Sequence, residues 1–187
     1  GSQNLERLVS TADGIQMTGD TLSANHHASN VLFNIMRGGL FIDNYAIDKS
    51  DLTSFCAQWN QRVFEANTTF FDALPETLLY HDLDAALLDN TDLQLERLCR
   101  EYLPLSFSRR HGDPSRPWNR FAIKVKDEKG KKLLNYEGNW RDIFQNWEAL
   151  SYSFPVYLES IVAKFLNAST VDGFNPYRVT RDGIDWE

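Results

Sequence analysis

Residues 139–150 read Asn139-Trp-Arg-Asp-Ile-Phe-Gln-Asn-Trp-Glu-Ala-Leu150, and their periodicity sets the expected architecture of the chain. Ile143, Trp147 and Leu150 recur at i, i+4 and i+7, so a helix would carry them on one apolar stripe. On that helix Arg141, Gln145 and Glu148 repeat the same spacing, and Asp142 and Asn146 make a second polar row. Planar, bidentate donors and acceptors beside indole rings suit a sugar, whose hydroxyls need such partners and whose apolar face needs an aromatic to stack on. Tryptophans at helical spacing also serve as plain core, and a neighbouring Arg-Asp pair also serves as a solvated or capping pair.

The rest of the chain reads as helices joined by short connections. A helix is expected from about Ser23 to Arg37, closed by Gly38-Gly39. The adjacent His26 and His27 point about 100° apart on it and cannot chelate a metal together; His27 is at most a cleft contact. Asp43 and Tyr45 fall in a loop and are candidate sugar contacts. Asp48 or Ser50 caps a long helix reaching about Leu74, with Leu52, Phe55, Cys56, Trp59, Val63, Ala66 and Phe70 on its apolar face, and Pro75 stops it. Residues Glu76–Asp89 and Thr91–Tyr102 predict two further helices. Leu83 and Leu87 line the first; Leu95, Leu98, Cys99 and Tyr102 line the second. Asp82, Asp84 and Asp89 lack the spacing of a calcium loop. Alternation in Phe121–Lys126 and Lys131–Tyr136 about the turn Asp127–Gly130 predicts one β-hairpin. A last helix over Val156–Ala168 should turn Leu158, Ile161, Val162 and Phe165 inward. The closing stretch is turn-rich.

Residues 107–121 carry Arg109, Arg110, His111, Asp113, Arg116, Trp118, Asn119 and Arg120, held by Pro114 and Pro117 in a non-helical loop. Such a loop can grip a carboxylate, a sugar rim or a phosphate, with Arg109, Arg110 and Arg116 the phosphate candidates. It can equally pair with acidic surface. Between Arg109 and Lys132 there are nine Lys/Arg against three Asp/Glu, a local +6 within a chain of net charge −7. The remainder is therefore strongly acidic, which argues against general nucleic-acid binding. The sequence has no apolar run of about 20 residues and so no expected membrane span. Cys56 and Cys99, each inside a helical pattern, read as buried thiols of a reducing compartment, the cytoplasm. No Gly-rich cradle, nucleophile elbow or HExxH zinc motif is present, so no cofactor or metal is expected.

The motif helix resembles the Tyr-Arg-Asp-x-x-Gln-Asp pattern, followed by a small residue and Leu, of inverting disaccharide phosphorylases such as cellobiose phosphorylase and the related cyclic β-1,2-glucan synthases. The likeness runs on through Pro155, Ile161, Phe165 and DGFNPYRVTRDGIDWE, with Arg181-Asp182 near that family's Ser-Asp-Asp-x-x-Trp stretch. It covers about the last third of the chain. The resemblance implies a mainly α fold, part of an (α/α) six-hairpin toroid with one β-hairpin, in a single domain spanning 1–187 that is a piece of a larger carbohydrate-active protein. It implies that Arg141 binds the non-reducing-end sugar; the motif's final Asp is Asn146 here, so that contact survives only as an amide. The family's general acid lies in a Trp-Asn-Asp motif that has no counterpart here, since Trp118-Asn119-Arg120 differs in its third residue and its place.

The expected function is binding of an oligosaccharide or glycosyl phosphate within a glycoside phosphorylase or hydrolase whose general acid lies beyond this sequence. Arg141, Asp142, Gln145 and Asn146, assisted by Trp140 or Trp147, form the expected sugar group. Asp142, Glu148, Asp182 and Asp185 are the carboxylates open to acid/base work. Expected partners are the sugar and either the remainder of the polypeptide or a second copy of the chain. The rival reading is a helical interaction module whose Arg-rich loop docks a protein or another acidic partner.

Overall fold

The computed structural model describes residues 43–107, 126–130, 133–140 and 154–186, together with 20–22, 25, 28, 29, 40, 41, 143, 147, 150 and 151. The Arg-rich loop, His26, His27, and Arg141, Asp142, Gln145, Asn146 and Glu148 of the motif lie outside the described residues.

The architecture is mixed α/β, which corrects the expectation of a mainly α six-hairpin piece. In chain order the strands are β1 (Leu40–Phe41), β2 (Ala46–Asp48), β3 (Thr77–Leu79), β4 (Leu105–Phe107), β5 (Asn135–Asn139), β6 (Arg178–Thr180) and β7 (Ile184–Asp185). Five of them form one sheet in the order β1-β4-β5-β6-β7, and β2 and β3 pair separately. β4 and β5 run parallel, with Ser106 opposite Asn135; the other pairings are antiparallel. All but β5 are two or three residues long, too short to show the alternation by which a strand is recognised. Of the expected partner strand Phe121–Lys126, residues 121–125 lie outside the described residues, and β5 joins the large sheet. Its turn is formed as expected: Gly130 N–H reaches Asp127 O at 3.0 Å, and Gly130 holds φ +80°.

The expected long helix is three helices, α1 (Lys49–Trp59), α2 (Gln61–Ala66) and α3 (Thr68–Ala73). Asn60 breaks the first boundary: with φ −154° it leaves the helix, and its side chain accepts from Val63 N–H. Asn67 breaks the second, its amide donating to Val63 O and to Asp92 Oδ2. The apolar repeat therefore continues while the axis does not. Asp48 caps α1 by accepting from Asp51 N–H at 3.0 Å. Where one helix was expected over 76–89, Thr77–Leu79 pair with Asp48–Ala46 first, and α4 spans Tyr80–Leu88. Asp92 caps α5 (Leu93–Arg100) through the N–H groups of Gln94 and Leu95. The expected linings Leu83, Leu87, Leu95, Leu98, Cys99 and Tyr102 are all buried.

A 3₁₀ turn at Pro155–Tyr157 leads into α6 (Leu158–Ala168). Its inward face holds Ile161 and Phe165 as expected, but Leu158 and Val162 are 49% and 47% exposed, and Ser160, Lys164 and Ala168 are buried instead. One apolar core gathers these elements, with Phe41 stacked on Tyr157 at 4.0 Å and Phe154 edge-on at 4.9 Å. Trp140, Ile143, Trp147 and Leu150 are helical, and Ile143, Trp147 and Leu150 are wholly buried. Gly138 makes room for this helix, since a Cβ there would stand 3.0 Å from Ile143 Cβ. No helix among the described residues is long and apolar enough to cross a membrane.

Cys56 and Cys99 are free and buried. A hydrogen bond with Cys99, then burial, pushes the Cys56 thiol far above the usual range. Both thiols are closed to solvent, so neither cysteine should react with Ellman's reagent in the folded protein, and both should react in guanidinium. Rapid labelling of the native protein would contradict this packing.

Candidate functional site

α1 and the β6–β7 connection, tied directly by Arg181 and Asp51, both line a cleft of about 890 Å³. That size suits an organic ligand. Its described lining includes Asp43, Asp48 and Asp51, Asp127 and Leu133–Asn135, and Arg181 and Asp182, with Phe55 its aromatic residue. Among the described lining residues, five aspartates therefore stand against one arginine.

Arg181 is a clamp. Its Nη2 donates to both oxygens of Asp51, at 2.9 and 2.8 Å, and Nη1 donates to Leu134 O at 3.1 Å. Its own carbonyl accepts from Trp59 Nε1 at 2.8 Å, and its N–H reaches Tyr136 O at 2.9 Å. Tyr102 donates its hydroxyl proton to Asp51 Oδ2. Burial, followed by the Asp51 carboxylate, pushes the Tyr102 phenol well above its ordinary range, so it stays a donor. The carboxylate of Asp51 is thus fixed by a guanidinium and a phenol at once. Fixing of this kind preorganises an acceptor for a ligand hydroxyl.

Behind this wall sits a buried ion pair. Lys164 is 2% exposed, with Nζ 3.5 Å from the Trp59 ring centroid and 3.8 Å from Glu101 Oε2. Glu101 Oε1 accepts from Asn167 Nδ2 at 2.7 Å. Burial lowers the Lys164 pKa from 10.5 to about 8 and raises that of Glu101, in each case against the attraction of the other. Desolvation therefore outweighs attraction at this separation.

The expected site residues divide. Asp182 and Asp43 line the cleft. Asp185 is exposed and paired with Arg178, whose Nη1 also meets Glu137 at 2.8 Å. Tyr45 packs half-buried against Tyr157 and Phe154. Trp140 is half-buried, edge-on to Phe165. Trp147 is wholly buried, edge-on to Tyr136 and Phe165, with no surface left for a sugar to stack on. Arg141, Asp142, Gln145, Asn146, Glu148, Arg109, Arg110 and Arg116 lie outside the described residues. Asp48, Asp51, Asp127 and Arg181 were not expected in a cleft. Asp51 and Arg181 are 130 positions apart, and nothing local in either stretch marks the pair. Among the described residues no group of three or more His, Cys, Asp or Glu side chains is arranged to hold a metal ion.

The model of glycoside hydrolase family 149 insertion domain 1 matches residues 41–104, about a third of the chain. That region is glycoside hydrolase-related, and it supplies Asp43, Asp48, Asp51 and Phe55 to the cleft. It does not overlap residues 139–187, over which the phosphorylase resemblance was read, and it does not point to the six-hairpin phosphorylase group. No curated protein matches the chain.

Proposed function

We propose that this chain is part of a carbohydrate-active enzyme of the glycoside hydrolase or phosphorylase type and that its acidic cleft binds an oligosaccharide. The observation that carries this reading is that the glycoside hydrolase-related stretch, residues 41–104, supplies Asp43, Asp48, Ser50, Asp51, Ser54, Phe55 and Gln58 to the cleft lining. Carboxylates fixed by neighbouring donors accept sugar hydroxyls. Asp51, held by Arg181 and Tyr102, is the positioned acceptor, and Asp182 is the cleft carboxylate open to exchange. In the parent enzyme, cleavage takes a protonated carboxyl at the leaving oxygen and phosphate or a base-activated water on the opposite face. The general acid is assigned to a part of the parent protein outside this sequence. Arg141, Asp142, Gln145 and Asn146 of the motif helix remain the second candidate sugar group.

A thermal-shift titration with glucose, cellobiose and glucose 1-phosphate tests the reading. The chain should be stabilised by about 2.7 kcal/mol when ligand reaches a hundred times its Kd. Asp182→Asn should weaken that response if the cleft holds the sugar, and Arg141→Ala if the motif does. Absence of any shift at saturating sugar would overturn the reading for this chain.

A second reading, a module that docks a protein partner, draws on Leu158, Val162 and Leu166. These repeat at i, i+4 and i+8 on α6 and stand about half or more exposed. Concentration-dependent self-association or partner capture that depends on Val162, with no sugar response, would favour it.

A further inference from the structure

Beside the cleft lies a second depression, of about 290 Å³, where the start of α1 meets α2 and α3. Ser50 lines both. The two depressions therefore adjoin at the first turn of α1, with Ser50 on their common border. We infer that the pocket is a further saccharide subsite, so that the cleft and pocket form one groove for an uncharged oligosaccharide longer than a disaccharide. This inference rests on the carbohydrate reading of the cleft and adds to it both a place and a length requirement.

The chemistry of the pocket carries the assignment. Thr53 and Thr68 bring hydroxyls to its lining, and Asp72 and Glu76 bring carboxylates. Thr53 already donates to Ser50 O at 3.0 Å, which leaves its oxygen as an acceptor for a sugar hydroxyl. Phe64 is half-buried against Phe71, centroids 5.1 Å apart at 45°, and it offers the aromatic surface that the apolar face of a pyranose needs.

The same lining decides against an anionic ligand. Lys49 is the described cation of the pocket, and its ammonium is spent on the end of α3 and beyond. It donates to Asp72 O at 3.1 Å and Leu74 O at 2.8 Å and pairs with Glu76 at 3.6 Å. Two of its three protons go to these carbonyls, and the Glu76 carboxylate beside it offsets its charge. A phosphate or uronate placed here would meet Asp72 and Glu76 first and the cleft aspartates next.

A length series of β-glucan oligosaccharides tests this, two to six residues long in β-1,2, β-1,3 and β-1,4 linkage. Titration calorimetry on the chain and on Thr68→Trp, whose side chain would fill the pocket from an exposed helix start, gives the readout. For a linkage that binds, affinity should rise roughly tenfold between the disaccharide and a longer member, the worth of one added sugar contact. In Thr68→Trp that gain should disappear, with the melting temperature unchanged. Binding that does not depend on length, or a gain that persists in Thr68→Trp, overturns the second subsite while leaving the cleft assignment standing. Failure of every member to bind overturns the carbohydrate reading itself.

Discussion

Glu101→Ala should lower the stability of the fold by about 3–5 kcal/mol, because it strands a charged lysine in the interior. Lys164 lies between α1, α5 and α6 under the Trp59 ring, and Glu101 is its carboxylate partner at 3.8 Å. The pH dependence carries the signature. The folded-state pKa of Lys164, about 8, lies below its ordinary 10.5, so the unfolded chain binds the extra proton between those values. Stability owed to this group therefore rises with pH across that window, and the cost of the buried ammonium is complete below it. Glu101, raised by burial, acts with the opposite sign: its contribution falls as pH climbs out of the usual carboxylate range. The loss in Glu101→Ala should thus be largest near neutrality and should shrink as the solution becomes alkaline. Replacing both groups, Lys164→Met with Glu101→Gln, should be neutral or stabilising by about 1–4 kcal/mol, since it also removes the desolvation cost. Urea titrations across pH measure both variants. A Glu101→Ala loss below about 1 kcal/mol, the range of a surface pair, would contradict the buried geometry.

Trp147→Ala should cost about 3–5 kcal/mol, the usual range for removing a large buried aromatic side chain. The indole is wholly buried and meets Tyr136 edge-on at 5.0 Å and Phe165 at 5.4 Å, so its loss opens a cavity at the centre of the core. Trp147→Phe keeps part of the packing and should cost less. These variants separate two roles that the sequence leaves side by side, core and sugar platform. A core residue moves stability in both variants by the volume removed. A platform would lose sugar affinity with little change in the unfolding midpoint.

What was legible in the sequence follows from how local each signal is. Ile143, Trp147 and Leu150 announce their burial because helical spacing alone places them on one face, and the structure buries all three. Asp48 and Asp92 are readable as caps because a short acceptor just before an apolar repeat satisfies free N–H groups wherever the rest of the chain goes. The breaks at Asn60 and Asn67 were hidden, since the apolar period of α1 runs across both while the backbone leaves helical geometry at each. The sheet was hidden for a different reason. β1, β4 and β6 are two or three residues long and exist through partners distant in sequence, as with Phe41 beside Leu105 and Val179 beside Gly138. On α6, helical spacing alone chose Leu158 and Val162 as inward. The tertiary arrangement instead turns Lys164 inward, toward Glu101 and Trp59.

The site was legible in the same uneven way. Asp43 and Asp182 were named as polar candidates, and both line the cleft. The Asp51–Arg181–Tyr102 clamp joins three segments and has no local signature in any of them. Arg181 was noticed through its place in the family resemblance, near a stretch of that family's motif, and the structure gives it a physical task. It ties the β6–β7 connection to the first turn of α1, and so to the glycoside hydrolase-related region.

The crystal structure of this chain soaked with the tightest-binding member of the β-glucan series is the most direct test of the account. A sugar ring in the cleft, with hydroxyls within hydrogen-bond reach of Asp51 and Asp182 and the Arg181 clamp intact, is the expected result. An empty cleft, with the sugar bound elsewhere on the chain, would contradict it.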